Sequence, residues 1–299
     1  MVTAMGEVKA APSVRKAAAD RGIDIDKLAA ELGRTTIGRE DLETAKSAPA
    51  AAAPAADTAF WEVDHAAYGP VTAQPTSRFD KIAAKNLGAA QAVIPSVTHH
   101  DRADIGAVEA LRTSWKSEAA ARGVRLTALA FHVKALARCL RKFPKFNASL
   151  SADGETLILK DYVHVGIAVD TEHGLMVPVI RDADRKGLWQ IAADIADLAG
   201  RAQARKIGAE EMGGASMTIS NLGGIGGTAF TPIVNPPEVA ILGLTRTETV
   251  PVWDGEAFRP VPMVPLDLTY DHRVINGADA ARFLSHFAGL IGEPRRLLL

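Results

Sequence analysis

Between residues 104 and 122 the apolar side chains Ile105, Val108, Leu111 and Trp115 recur three and four positions apart, which lays them along one face of a helix. Residues 127–143 predict a second, largely buried helix, 188–204 a third, and 278–291 a last one that opens just after Gly277. Short apolar and β-branched runs at 156–160, 163–169, 216–220, 239–244 and 263–270 read as strands. Helices and strands mixed without strict alternation predict an α/β or α+β sheet domain over residues 59–299.

The N-terminal pattern is different. Pro12 and Ser13 are helix-start signals, 14–21 reads as a short helix that Gly22 stops, Asp24 can cap the next turn, and 39–45 reads as another helix. Residues 12–45 thus predict a small all-α unit, close to the size below which domains usually need a metal or disulfide. Residues 46–58 are mostly Ala, Pro, Lys and Ser, with Pro49 and Pro54 opposing a continuous helix, and predict an extended linker. Residues 1–11 are expected to be a further linker.

Composition narrows the class. The chain has 299 residues, 47% hydrophobic and 23% charged, as in ordinary soluble proteins, and a formal net charge of -1 gives no basic field for nucleic acid. No apolar run reaches the roughly 18 residues that span a membrane, and the start lacks a secretory pattern. The single cysteine, Cys139, excludes an intrachain disulfide and is expected to fill the core of the second helix. A cytoplasmic location is the expectation.

Two segments carry candidate chemistry. In Tyr270-Asp271-His272-Arg273-Val274-Ile275-Asn276-Gly277 a histidine follows a strand and precedes a helix, a rigid junction where an imidazole suits general-base work near neutral pH; a structural loop histidine is the alternative. In the segment from Met217 to Thr228, an apolar strand ends at Ser220 and runs into a glycine-rich loop. Ser220 either donates a hydrogen bond to a developing oxyanion or opens a tight turn. The loop lacks P-loop spacing, and no helix follows at once as a dinucleotide fingerprint requires. No zinc spacing and no Gly-x-Ser-x-Gly elbow occurs, and His99 and His100, adjacent on a strand, point to opposite faces, so no metal is expected.

Together with Ile94-Pro-Ser-Val-Thr98, Asp104-Ile105, Glu109 to Arg112, Val165-Gly-Ile-Ala-Val-Asp-Thr171, Gly174-Leu-Met-Val-Pro-Val-Ile-Arg181 and Phe230-Thr-Pro-Ile-Val-Asn-Pro-Pro-Glu238, these segments resemble the acyltransferases of 2-oxo acid dehydrogenase complexes, relatives of chloramphenicol acetyltransferase. The resemblance covers 61–299. Val252-Trp253-Asp254-Gly255 and the His-x-x-x-Asn-Gly form look most like the pyruvate dehydrogenase branch in certain Gram-negative bacteria. It implies a chloramphenicol acetyltransferase-like mixed-sheet domain that forms trimers and transfers an acetyl group between dihydrolipoamide and coenzyme A. His272 would take the thiol proton, Ser220 would steady the oxyanion, and Asn276, where most of the family has aspartate, would orient the site without charge. Arg112 would reach the nucleotide end of CoA, and Phe230 and Ile233 would line the lipoamide channel. The site would lie between subunits, and the trimers would assemble into a 24-subunit cube through Leu297-Leu298-Leu299.

The N-terminal unit resembles the family's peripheral subunit-binding domain through Pro12-Ser13-Val14-Arg15-Lys16, Gly22-Ile23-Asp24-Ile25 and Arg39-Glu40-Asp41-Leu42. That implies binding of the pyruvate decarboxylase component or dihydrolipoamide dehydrogenase through Arg15. The expected partner-binding arginine is replaced by Thr36, leaving Arg34 or Arg39 as substitutes. A lipoyl group would come from a domain outside these residues, since the family's Asp-Lys-Ala turn is missing. The alternatives are a non-catalytic scaffold of the same fold and an acyltransferase for succinyl or branched-chain groups.

Overall fold

A computed structural model describes residues 8–20, 23–44, 62–172 and 174–297. The chain divides between Gln74 and Pro75 into two units. The first contains β1 (Lys9–Ala10), α1 (Pro12–Asp20), α2 (Ile25–Leu32), β2 (Thr36–Ile37) and α3 (Arg39–Thr44). Asp24 starts α2 by accepting the backbone N–H groups of Asp26 and Lys27, and Gly33 ends it at φ 65°, a left-handed conformation that favours glycine. Val14, Ala18, Leu28, Ala29, Ile37 and Leu42 form its core. The unit is not all-α: Lys9–Ala10, expected within a linker, pairs in parallel with Thr36–Ile37. Arg15 reinforces that pairing by donating to the Val8 carbonyl at 2.7 Å. Residues 46–58 lie outside the described residues.

The second unit runs through α4 (Arg78–Val93), β3 (Ser96–Asp104), α5 (Gly106–Ser114), α6 (Lys116–Ala121), α7 (Ala128–Lys142), β4 (Ala148–Leu150) and β5 (Leu157–Leu159). There follow β6 (Val165–Ile167), β7 (Val169–Thr171), β8 (Gly174–Met176), β9 (Val179–Ile180), α8 (Leu188–Gln203), β10 (Met217–Asn221), β11 (Ala240–Leu244), β12 (Glu248–Trp253), β13 (Phe258–Asp271) and α9 (Gly277–Gly292). The helix expected over 104–122 is two helices. Asp104 ends β3 and its side chain accepts the Gly106 N–H, while Trp115 breaks the run at φ -92°, ψ 7° with its ring against Phe131 and Trp189.

The main sheet has the order β12-β13-β11-β10-β6-β9, with β3 on β13. It is mixed: β10 is parallel to both β6 and β11, and β13 is antiparallel to β11, β12 and β3. Side chains alternate along each strand, so the sheet has two different faces. Met217, Ile219, Leu242, Leu244, Leu266, Leu268 and Tyr270 join α7, α8 and α9 in the main core. Each fully buried leucine or isoleucine there contributes about 1.5–3 kcal/mol. Cys139 is buried in that core, where desolvation pushes its thiol pKa up. The other face carries Thr218, Ser220, Ile241, Gly243, Asp267, Thr269, Thr98 and His100, and Ala90, Ile94 and Val234 form a small cluster with Ile241 there.

The C-terminus departs from expectation. Leu297 is 3% exposed and packed in the main core, because the turn Pro294–Leu297 folds the chain back onto the domain. Leu297 is therefore not an exposed contact, and Leu298 and Leu299 lie outside the described residues.

Candidate functional site

Ser220 stands near the end of β10, an interior strand. Met217 and Ile219 point into the main core, so Thr218 and Ser220 point to the opposite face. Beyond Ser220, the Asn221 side chain accepts the Gly223 N–H at 2.9 Å and opens the glycine-rich turn. Ser220 is half-buried, and its hydroxyl has no hydrogen-bond partner among the described residues. It lies in register with Gly243 of β11, which lies opposite Asp267 of β13. The Phe230 ring rests on Gly243: a Cβ there would come within 2.6 Å of Phe230 Cε1. Ser220 and Phe230 are thus neighbours, while Ile233 packs against the small cluster beneath.

Two residues before Ser220, Thr218 donates to Glu238 Oε1 at 2.8 Å, and Asn235 Nδ2 donates to the same oxygen at 3.2 Å. Glu238 Oε2 is buried without a partner. Desolvation pushes this carboxyl up to about 7, against the lowering effect of the Thr218 and Asn235 hydrogen bonds.

His272 follows β13 directly, in the turn that leads into α9. Its backbone N–H donates to the Pro95 carbonyl at 3.1 Å, and its exposed ring stands 5.9 Å from that of Tyr270. Like Ser220, the ring has no hydrogen-bond partner among the described residues. The preceding Asp271 is buried and holds Arg273 through both oxygens at 2.6–3.1 Å, which keeps the turn closed around His272. Asn276 Oδ1 accepts the Asp279 N–H at 2.8 Å and caps α9, so its amide N–H groups remain for other partners. A cleft of about 560 Å³ opens beside Asp271 and Arg273, walled by α4 and the Asn235–Glu238 segment.

Within one chain Ser220 and His272 do not meet. The Ser220 row crosses β13 at Asp267, five residues before His272, and two strand spacings to the side. At about 3.3 Å per residue and 4.8 Å per strand, this separation is on the order of 20 Å. Arg112 stands apart from both, on α5 in the helical layer. It pairs with Glu109 at 2.5 Å and lines a cleft of about 520 Å³ with Lys116 and Arg125. In the N-terminal unit Arg15 and Arg39 are exposed, and Arg34 pairs with Asp41.

Sequence reasoning passed over Glu238, the Asp271–Arg273 pair and Asp267 with its partner His100. A carboxylate in the apolar run of β13 was a readable signal, because a charge on a central strand needs a partner. The partner itself was hidden: one member of the histidine doublet, His100, turns to this face and meets Asp267.

The described residues thus form a mixed sheet with one face under helices, an unpartnered hydroxyl on its other face and an unpartnered imidazole at its end. Residues 68–299 match the family model of the 2-oxoacid dehydrogenases acyltransferase (catalytic domain), and the chain belongs to this family. It is 47% identical to the dihydrolipoyllysine-residue acetyltransferase component of the pyruvate dehydrogenase complex of Azotobacter vinelandii, over 98% of this chain and 48% of that protein. The Pseudomonas aeruginosa counterpart is also 47% identical, over 98% and 55%. This chain therefore spans about half the length of these relatives. Among solved structures, one of the Azotobacter vinelandii dihydrolipoamide acetyltransferase addresses the role of a serine, a histidine and an asparagine in its catalytic mechanism. It shares 51% identity and a TM-score of 0.78 over 80% of this chain and 98% of that one. A structure of the cubic core of the pyruvate dehydrogenase multienzyme complex shares 52% identity and the same TM-score over 80% and 98%.

Proposed function

We propose that this chain transfers an acetyl group between dihydrolipoamide and coenzyme A, as the catalytic core of a pyruvate dehydrogenase complex. The observation that carries this reading is an interval. The serine, histidine and asparagine addressed in the Azotobacter enzyme are separated by 52 and then 4 residues, as are Ser220, His272 and Asn276.

The chemistry follows from the groups. A thiol with a pKa of about 8.5 is mostly protonated at neutral pH, and the thiolate is the nucleophile. A ring nitrogen of His272 takes the proton of the CoA thiol, and the sulfur attacks the acetyl thioester carbon of S-acetyldihydrolipoamide. The carbonyl electron pair moves onto oxygen, where the Ser220 hydroxyl donates to it. Collapse breaks the bond to the dihydrolipoamide sulfur, which leaves with the proton from the imidazolium. Asn276 fixes the turn by capping α9 and orients the site through its amide.

The separation of Ser220 from His272 supports a site completed by a second copy, with the histidine of one chain facing the serine of its neighbour in a homotrimer. Trimers in turn build a cube of about 24 chains, closed point-group assembly being the common solution for such interfaces. Arg112, with Lys116 and Arg125 in the same cleft, suits the phosphates of CoA. Phe230 and Ile233 line the lipoamide side, and a lipoyl domain outside these residues delivers the acyl group. Residues 12–45 act as a subunit-binding domain for the decarboxylase or dihydrolipoamide dehydrogenase through Arg15, with Arg34 or Arg39. Residues 46–58 are its linker, 59–299 are the transferase, and the location is cytoplasmic.

The test is acetyl transfer from acetyl-CoA to free dihydrolipoamide. His272→Ala and Ser220→Ala are each expected to lower turnover by about 10²–10³ or more with the oligomer intact. Acetyl is expected to outperform succinyl and isobutyryl donors. Parental activity in His272→Ala refutes the mechanism, and a preference for another acyl group refutes the substrate.

A further inference from the structure

Asp267 is a carboxylate on an interior strand, 1% exposed, and each of its oxygens has a separate task. Oδ1 accepts His100 Nδ1–H at 2.6 Å from edge strand β3, and Oδ2 accepts the backbone N–H of Phe230 at 3.2 Å. The His100 side chain is 52% exposed, so it joins solvent to the buried carboxylate. Phe230 belongs to the segment between β10 and β11, which pairs with no strand among the described residues. Two features hold it against the sheet: the Asp267 acceptor and the bare surface of Gly243. With a side chain at 243, the ring would clash with the new Cβ at 2.6 Å, and Asp267 Cβ would stand at 3.1 Å. Ser220, Gly243, Asp267 and His100 form one row across four strands on one face. The ring of Phe230 therefore sits one strand spacing, about 4.8 Å, from the Ser220 position.

The geometry points to His100 and Asp267 as positioning residues that set Phe230 beside Ser220, and so fix the wall against which the lipoamide arm lies. This rests on the acyl-transfer reading above and deepens it by naming what shapes the lipoamide side of the site. An aromatic wall displaced from that side weakens productive binding of the arm, and leaves the thiol of CoA and the imidazole untouched. The effect is therefore selective between the two substrates, which a general loss of packing is not.

The experiment measures steady-state transfer in the oligomeric protein, varying dihydrolipoamide and CoA separately. Asp267→Ala is expected to raise KM for dihydrolipoamide about tenfold, the size of a lost pocket contact, with KM for CoA within about twofold of the parent. Phe230→Ala is expected to give the same rise, and the Asp267→Ala/Phe230→Ala double variant no more than Phe230→Ala alone, the signature of two residues acting through one contact. Asp267→Asn keeps an acceptor for Phe230 and a donor for His100 and is expected to restore KM for dihydrolipoamide to within about twofold. His100→Ala changes a half-exposed residue and is expected to raise the same KM about threefold; it decides the matter if Asp267→Ala does not fold. Parental KM values in Asp267→Ala and His100→Ala, or equal rises for both substrates, overturn the proposal while leaving the transferase reading in place. Absence of transfer by the parent sinks that reading, and this proposal with it.

Discussion

Glu238 shows how much a single side chain can hold in this sheet. Both hydrogen bonds to it, from Thr218 and Asn235, go to Oε1, so the buried Oε2 is the oxygen that carries the proton. With a folded pKa raised to about 7 from 4.5, the folded chain keeps a proton that the unfolded chain has lost over that interval. Stability therefore falls as pH rises from about 4.5 to about 7, by up to about 3 kcal/mol from this group. Glu238→Gln cannot ionise and retains the acceptor. It is expected to be more stable than the parent at pH 8, with the gap closing toward pH 4, in urea midpoints measured across that range. A gap independent of pH contradicts this account. At the residue scale the sequence singled out Ser220 and His272 by position, one before a glycine-rich loop and one between a strand and a helix, and the proposed roles of both and of Asn276 came from the family resemblance. Asp267 and Glu238 were not singled out, because His100 is 167 residues from Asp267 and Thr218 is 20 residues from Glu238.

Among the elements, α9 is tied most directly to the site, since its N-cap is the asparagine four residues after His272. Asn276→Ala removes the cap and is expected to cost about 1 kcal/mol in stability; Asn276→Asp keeps a capping oxygen, favourable at a helix N-terminus, and is expected to be neutral or better. Thermal denaturation of the two variants separates the capping role from orientation of the site: Asn276→Asp at parental stability with reduced turnover assigns the amide N–H groups a part in the reaction. The helices with one clear apolar stripe, α7, α8 and α9, could be read from periodicity within a residue or two. The strands that were missed or shortened have physical reasons. Pro260 and Pro262 lack N–H donors and obscured the first half of β13, while Pro251 did the same for β12, opposite Pro260. In α4 the signal was diluted because Phe79, Ile82, Leu87 and Val93 lie exposed and only Ala90 is buried. The break at Trp115 was invisible because the apolar spacing continues across it.

At the scale of the whole molecule, the mixed sheet and its helical layer follow from the distribution of apolar residues, but the site does not follow from one chain. Leu157, Ile158 and Leu159 on β5, with Leu175 and Ile225, are exposed in the single chain. Among the described residues the Ser220 hydroxyl and the His272 ring have no hydrogen-bond partner and stand on the order of 20 Å apart. Under the proposed trimer, each site would draw its imidazole and its hydroxyl from different chains, which would bring the two groups together.

Co-expression of His272→Ala with Ser220→Ala tests this most directly. Each variant alone has no complete site. If the site is shared between neighbours, random mixing in a ring restores about one quarter of the interfaces, each with an intact histidine facing an intact serine. The whole co-expressed population is then expected to recover about one quarter of parental acetyl transfer. Activity no higher than that of the separate variants contradicts the account.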